Sequence, residues 1–290
     1  MTTPDVYFPN LGIKIESLDR VAFSIFGFDI YKYGAIICVG VILAIMLAVY
    51  EAKRTGQNPD NYTDFVFWGI LFGVIGARSY YLIFHDGSLK DFFAIRDGGL
   101  AIYGGIIAAV IALAVYTRIK KLSFLLFTDT AAMSLLVGQI LGRWGNLVNR
   151  EAFGGATESL FAMAYKAEQV VGLTVKDGIG IYNGSAQYPL HSLNGVDYIW
   201  VHPTFLYESC WNLMLLIIIF IMSRHKKFDG QLTLTYFIGY GIGRFIIESL
   251  RTDQLMILGM PVSMLLSAVL VGAACGVMIY KVKKYKSANK

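Results

Sequence analysis

Residues 131–154 read AAMSLLVGQILGRWGNLVNREAFG. The first half is apolar enough to lie in a bilayer, and the second carries Arg143, Asn146, Asn149, Arg150 and Glu151. Ionisable groups inside a membrane are expensive and face a protein interior or a watery cavity, so they mark function by default. This stretch therefore decides two things at once: the chain threads a membrane, and one end of the thread carries polar chemistry.

Working outward, 290 residues that are 56% hydrophobic and only 16% charged, with a mean hydropathy of +0.56, exclude an ordinary soluble domain. A bilayer core about 30 Å thick takes about 20 apolar residues per helix. Seven such runs occur, at roughly 33–50, 62–84, 98–116, 124–141, 204–223, 232–250 and 262–280. The expectation is an all-α polytopic membrane protein of seven transmembrane helices, forming one integral membrane domain over 1–290. Residues of about 152–203, rich in Gly, Asn and Asp, form a small extracytoplasmic lobe inserted into it. An outer N-terminal segment covers about 1–31, where VAFSIFGFDI at 21–30 reads as interfacial or short-strand. A basic n-region with a small-residue cleavage site is missing, so no cleavable signal peptide is expected.

Orientation follows the short-loop cations. Lys53 and Arg54; Arg118, Lys120 and Lys121; Arg224, Lys226 and Lys227; and Lys281, Lys283, Lys284, Lys286 and Lys290 place 13 of the 25 basic residues on alternate connections. The N-terminus is thereby outside and the C-terminus cytoplasmic. A net charge of +5 then suits anionic membrane lipids, and no nucleic-acid partner is implied. Cys38, Cys210 and Cys275 fall in apolar runs and read as small core residues rather than disulfides.

With that topology the embedded polar residues collect toward the outer leaflet. They are Tyr33; Arg78; DGGLAIYGG at 97–105, containing Tyr103; the Arg143–Glu151 group; HPTFLYE at 202–208, containing His202; and YGIGRFIIESLRTD at 240–253. In the last, Tyr240, Arg244, Glu248 and Arg251 lie within roughly an 80° arc of a helix. Guanidinium groups match phosphate oxygens bidentately, so Arg78, Arg143, Arg244 and Arg251 suggest a phosphate-bearing lipid. Other readings stay open. Arg244 with Glu248 is equally readable as a structural ion pair, and Arg251 as a snorkelling side chain. His202 reads also as a helix cap or a neighbour's hydrogen-bond partner, and His85 as interfacial. Gly138, Gly142, Gly239, Gly241, Gly272 and Gly276 are packing points between helices. A transporter of an anionic solute is the competing class, though it would more often show duplicated halves; a scaffold comes third.

GRWGNLVNREAFG at 142–154 resembles the signature of bacterial prolipoprotein diacylglyceryl transferases. DGGLAIYGG, HPTFLYE and GRFIIESLRTD follow in that family's order, so the resemblance covers essentially the whole chain. It implies transfer of the diacylglyceryl group from phosphatidylglycerol to the thiol of the lipobox cysteine in a preprolipoprotein signal peptide. The products are a thioether and glycerol 1-phosphate, in the first step of lipoprotein maturation, at the outer leaflet of the bacterial cytoplasmic membrane. Arg143 and Arg244 are similar to the family's essential arginines; Asn146, Glu151 and Gly154 belong to the signature; Tyr33, Tyr240, Glu248 and Arg251 match further functional positions. Arg143 and Arg244 are expected to hold the phosphate, Asn146 and Tyr240 to orient lipid oxygens, and Glu151 and Glu248 to position the arginines. Arg78 and His202 join the lipid-binding set. Neither a cofactor nor a metal is implied. Some family members carry His, assigned as base, where this chain has Tyr103. Tyrosine is a poor base at neutral pH, whereas a thiol is already a few per cent thiolate, so Tyr103 reads as a hydrogen-bonding residue.

Overall fold

The computed structural model describes residues 3–84, 92–93, 99–252, 254, 256–257 and 259–288. Seven α-helices lie among them: α1 Lys32–Arg54, α2 Asp60–Phe84, α3 Ile102–Ile119, α4 Phe124–Asn149, α5 Thr204–Ser223, α6 Gln231–Glu248 and α7 Val262–Ala288. Six are long and apolar enough to cross a membrane, the architecture of a polytopic membrane protein. The exception is α6, whose 18 residues include Arg244, Glu248 and three glycines that dilute its apolar character. His85, Asp97 and Asp253 lie outside the described residues.

Contrary to the all-α expectation, the segments outside the helices build sheets. Strands β1 Val6–Phe8, β2 Ile13–Ile15, β5 Met163–Lys166, β6 Leu173–Lys176, β7 Ile179–Tyr182, β8 Ala186–Leu193 and β9 Val196–Val201 form one antiparallel sheet in the order β2-β1-β5-β9-β8-β7-β6. Two small hairpins join β3 Val21–Ile25 to β4 Phe28–Tyr31 and β10 Met256–Ile257 to β11 Met260–Pro261. The reason is turn chemistry. Asp177-Gly178 and Asn194-Gly195 are two-residue hairpin turns in which both residues take positive φ, 52° and 77° in the first and 52° and 80° in the second. That backbone twist matches the twist of the flanking strands, which is why Asp-Gly and Asn-Gly select hairpins. Between the turns β7 alternates, exposing Ile179 and burying Gly180 and Tyr182, whereas β9 after the second turn is covered on both faces and buries Tyr198, Ile199 and Val201. At 21–31 the short-strand reading holds, with Phe26-Gly27 as the turn.

By internal contacts the chain divides into Met1–Leu43 with Leu135–Lys290, and Ala44–Ser134. In the first unit the sheet's core is Val6, Phe153, Tyr165, Tyr188, Ile199 and Val201, joined by Leu147 of α4 and Phe205 of α5. Gly239 and Gly241 are packing points, since a Cβ would collide with Leu215 at the first and meet Val271 at 2.6 Å at the second; Gly138, Gly272 and Gly276 have open space and are not. A Cβ on Gly142 would make only an ordinary van der Waals contact with Ile37, at 3.7 Å. In the second unit a Cβ on Gly76 would meet the Gly104 carbonyl at 2.6 Å, so the backbones of α2 and α3 touch there. Cys38 and Cys210 are exposed rather than core, on outward helix faces where lipid accepts a small apolar group; all three cysteines are free.

A polar clamp ties the N-terminal strand to the end of α4. Asp5 accepts from the Leu18 amide at 2.8 Å, from Lys166 Nζ at 3.0 Å and from Gln169 Nε2 at 2.9 Å, and Arg150 Nη2 lies 3.5 Å away. Burial alone would raise the Asp5 carboxyl, but the Leu18, Gln169 and Lys166 hydrogen bonds outweigh it and bring it from 3.8 to about 2. A carboxyl depressed in the folded state stabilises above its unfolded pKa, so this contribution is complete above about pH 4 and is lost as the pH falls toward 2. Asp5→Asn is therefore expected to unfold more easily than the wild type at pH 6, with the gap closing toward pH 2.5. A gap that stays constant across that window contradicts the clamp.

Candidate active site

The site grows from a lone carboxylate in an apolar helix. Glu208 is the one charged residue of α5 and is 3% exposed. A buried carboxylate must be paired or lose its charge. Three guanidinium groups reach it: Arg143 Nη2 at 2.7 Å from α4, Arg244 Nη1 at 3.2 Å from α6, and Arg251 Nη1 at 3.8 Å from the turn after α6. Glu208 closes the HPTFLYE stretch but is not among the site residues that the sequence leads one to expect. The signal is there: a single acid in a largely apolar twenty-residue helix needs cations from other helices.

Glu248 is the second carboxylate. Its Oε2 lies 2.6 Å from Arg244 Nη2, a close ion pair without hydrogen-bond alignment, and 3.9 Å from Arg251 Nε. Ser263 in the first turn of α7 donates to its Oε1 at 2.5 Å, so Glu248 also fastens α6 to α7. The i,i+4 spacing thus gives the ion pair read from the sequence, embedded in a network. The carboxylates lie behind and the guanidiniums in front: Arg143 and Arg244 side chains keep 22% and 17% exposure against 4% for Glu208.

At the end of α4, Asn146 links two charges, accepting from Arg143 Nη1 at 3.5 Å and donating to Glu151 Oε1 at 3.2 Å. Asn149 Nδ2 donates to the same oxygen at 3.0 Å. Glu151 is held between two strained residues, Arg150 and Ala152, both at φ 56°. Left-handed backbone at non-glycine positions costs about 1 kcal/mol or more each and persists only where the surroundings over-determine it. Here Arg150 Nη2 donates to the Leu18 carbonyl at 2.9 Å, and the Thr204 hydroxyl to the Ala152 carbonyl at 2.5 Å.

Gly154 is a seam. Its amide donates to the His202 carbonyl at 3.0 Å, the Gly155 amide donates to the Leu250 carbonyl at 2.8 Å, and a Cβ on Gly154 would meet His202 Cβ at 2.7 Å. Tyr33 lies against Gly145, where any side chain would strike its ring. His202 Nδ1 is 3.4 Å from the Tyr207 hydroxyl, and burial pushes its imidazole below the ordinary 6.5, so it is neutral at pH 7. Tyr240 stacks on Tyr236 with ring centres 5.5 Å apart.

Arg78 and Tyr103 belong to the other unit. Arg78, 4% exposed, donates to the Gly99 carbonyl at 2.9 Å and lies over the Tyr81 ring. Gly99 has φ 76°, and a Cβ there would meet the Arg78 guanidinium at 2.6 Å. Tyr103 sits half-exposed in the first turn of α3.

Replacing Glu208 with Gln leaves three cations around a neutral centre. Breaking a buried pair this way costs about 3 kcal/mol, so the unfolding midpoint of Glu208→Gln in detergent is expected to fall well below the wild type. An unchanged midpoint contradicts Glu208 as the hub.

A family model described as prolipoprotein diacylglyceryl transferase matches residues 20–280. A protein of Clostridioides difficile (strain 630) named phosphatidylglycerol--prolipoprotein diacylglyceryl transferase is 37% identical over 276 residues, 93% of this chain and 98% of that protein. Proteins of the same name from Finegoldia magna and Listeria monocytogenes serotype 4a are 39% and 38% identical over 279 and 277 residues, covering 94% and 93% of this chain and 100% and 92% of theirs. The chain belongs to the prolipoprotein diacylglyceryl transferase family.

Proposed function

We propose that this chain transfers the diacylglyceryl group of phosphatidylglycerol to a prolipoprotein, and that the arginine–glutamate cluster around Glu208 holds the donor's phosphate. The relatives' names give the donor and the acceptor. One observation carries the site reading: three guanidiniums backed by two buried carboxylates, in and just beyond largely apolar helices, with Arg143 and Arg244 partly open.

In this reading the acceptor is a lipobox cysteine thiolate. Its sulfur bonds to the glycerol carbon carrying the phosphate ester, the carbon–oxygen bond breaks, and glycerol 1-phosphate leaves with the electron pair. Arg143 and Arg244 neutralise charge growing on the phosphate, the preorganised electrostatic term that dominates such steps. Glu248 aligns Arg244 directly, and Glu151 aligns Arg143 through Asn146. Tyr240 and Asn146 orient lipid oxygens, while Gly154 and Tyr33 keep the seams at the end of α4 closed. Arg251 completes the cationic set, and neutral His202 offers a hydrogen bond rather than a charge.

The reading extends to topology: one membrane domain with seven spans including α6, the N-terminus outside, and an outer-leaflet site beneath an extracytoplasmic lobe at about 152–203. It is supported by the basic residues at the C-terminal end of α1, after α5 and along the end of α7. Arg143, Glu208 and Glu248 occupy the opposite ends of α4, α5 and α6.

The test is mass spectrometry of a lipobox-cysteine peptide incubated with the purified protein and phosphatidylglycerol. The wild type is expected to add one diacylglyceryl mass to the cysteine, and Arg143→Ala to do so at least a hundredfold more slowly. A folded wild type that binds the lipid but leaves the peptide unmodified overturns the transferase reading. Tyr103→Phe is expected to retain near-normal turnover, because the thiol supplies its own thiolate; a loss of several hundredfold would make the Tyr103 hydroxyl part of the proton path.

A further inference from the structure

One helical turn below the charged cluster lies a second polar layer. Gln139 precedes Arg143 by four residues, Tyr240 precedes Arg244 by four, and Asn212 follows Glu208 by four on a helix that enters from the lobe end. A spacing of four keeps each residue on the face of its partner, about 5–6 Å deeper. Asn212 is 2% exposed, yet its Nδ2 has no hydrogen-bond partner among the described residues. Gln139 Nε2 lies 2.8 Å from the Tyr236 hydroxyl while its Oε1 has no hydrogen-bond partner. A hydroxyl both donates and accepts, so the Gln139 amide satisfies Tyr236 in either orientation and can leave its NH₂ free. Two amides thus present spare hydrogen-bonding capacity in a region where an unmade hydrogen bond costs about 1–3 kcal/mol.

We propose that this layer binds the two ester carbonyls of the donor lipid's diacylglyceryl group, with Asn212 Nδ2 donating to one and Gln139 to the other. In a phospholipid the ester carbonyls follow the phosphate toward the hydrocarbon, separated from it by the glycerol carbons. A phosphate at Arg143 and Arg244 therefore brings the esters to the depth of Asn212 and Gln139. The layer is polar but uncharged, which suits a neutral acceptor. The inference rests on the phosphatidylglycerol reading of the cluster and deepens it to the linkage chemistry of the donor.

The discriminating substrate is phosphatidylglycerol whose chains are attached by ether bonds, which keeps phosphate, glycerol and chain length but removes both carbonyls. With the purified full-length protein and a lipobox peptide, wild type is expected to use the ester lipid roughly ten- to hundredfold better in kcat/KM, the range of two hydrogen bonds. Asn212→Leu should narrow that preference by roughly three- to tenfold, one hydrogen bond's worth, falling on the ester lipid alone. Gln139→Met is the second variant, should Asn212→Leu not fold, and is expected to narrow the preference likewise. A wild type indifferent to the linkage overturns the proposal, as does a variant slowed equally on both lipids with the preference intact, the signature of a purely structural amide. Failure of the wild type on the ester lipid itself would instead overturn the transferase function, and this inference with it.

Discussion

One buried carboxylate, Glu208, determines how three helical segments meet. An isolated acid in the apolar α5 would give up its charge, and isolated arginines in α4 and α6 would be equally costly to bury. Together they compensate, at distances of 2.7 to 3.8 Å. Such networks are seldom net stabilisers against an apolar alternative, but removing one partner is severely destabilising. The cluster therefore fixes the relative depth of the C-terminal half of α4, the start of α5 and the end of α6. Ser263 extends that register to α7 through Glu248, and the Gly154–Gly155 seam extends it to the sheet through the His202 and Leu250 carbonyls.

The same arrangement explains why the site carries strain. Glu151 can pair with Asn146 and Asn149 only if the chain turns sharply at the end of α4, and Arg150 and Ala152 adopt left-handed backbone to do so. The clamp of Asp5, Leu18 and Lys166 holds that turn from the sheet side. The N-terminal strand thus supports the geometry of Arg143 through a chain of contacts, although it touches none of the charged cluster among the described residues.

Much of this was legible in the sequence. Apolar runs gave the helices because every backbone group in a bilayer must be satisfied within its own segment. The four-residue spacing of Arg244 and Glu248 gave an ion pair that exists at 2.6 Å. Two features were missed for separable reasons. The sheet is hidden because Asp177-Gly178 and Asn194-Gly195 read simply as turn formers, and of the strands they join only β7 shows a clean alternation of buried and exposed residues. The role of Glu208 is not legible locally because its partners are Arg143, Arg244 and Arg251, up to 65 positions away, and no local periodicity reports a pairing of that range.

The central claim is that the arginines gathered by Glu208 receive the donor's phosphate. A structure of the full chain with phosphatidylglycerol bound tests it most directly. The account predicts the phosphate oxygens within hydrogen-bond distance of both Arg143 and Arg244, with Glu208 still behind them. A phosphate seated on the basic segments at the other helix ends, with the Glu208 cluster unliganded, would contradict it.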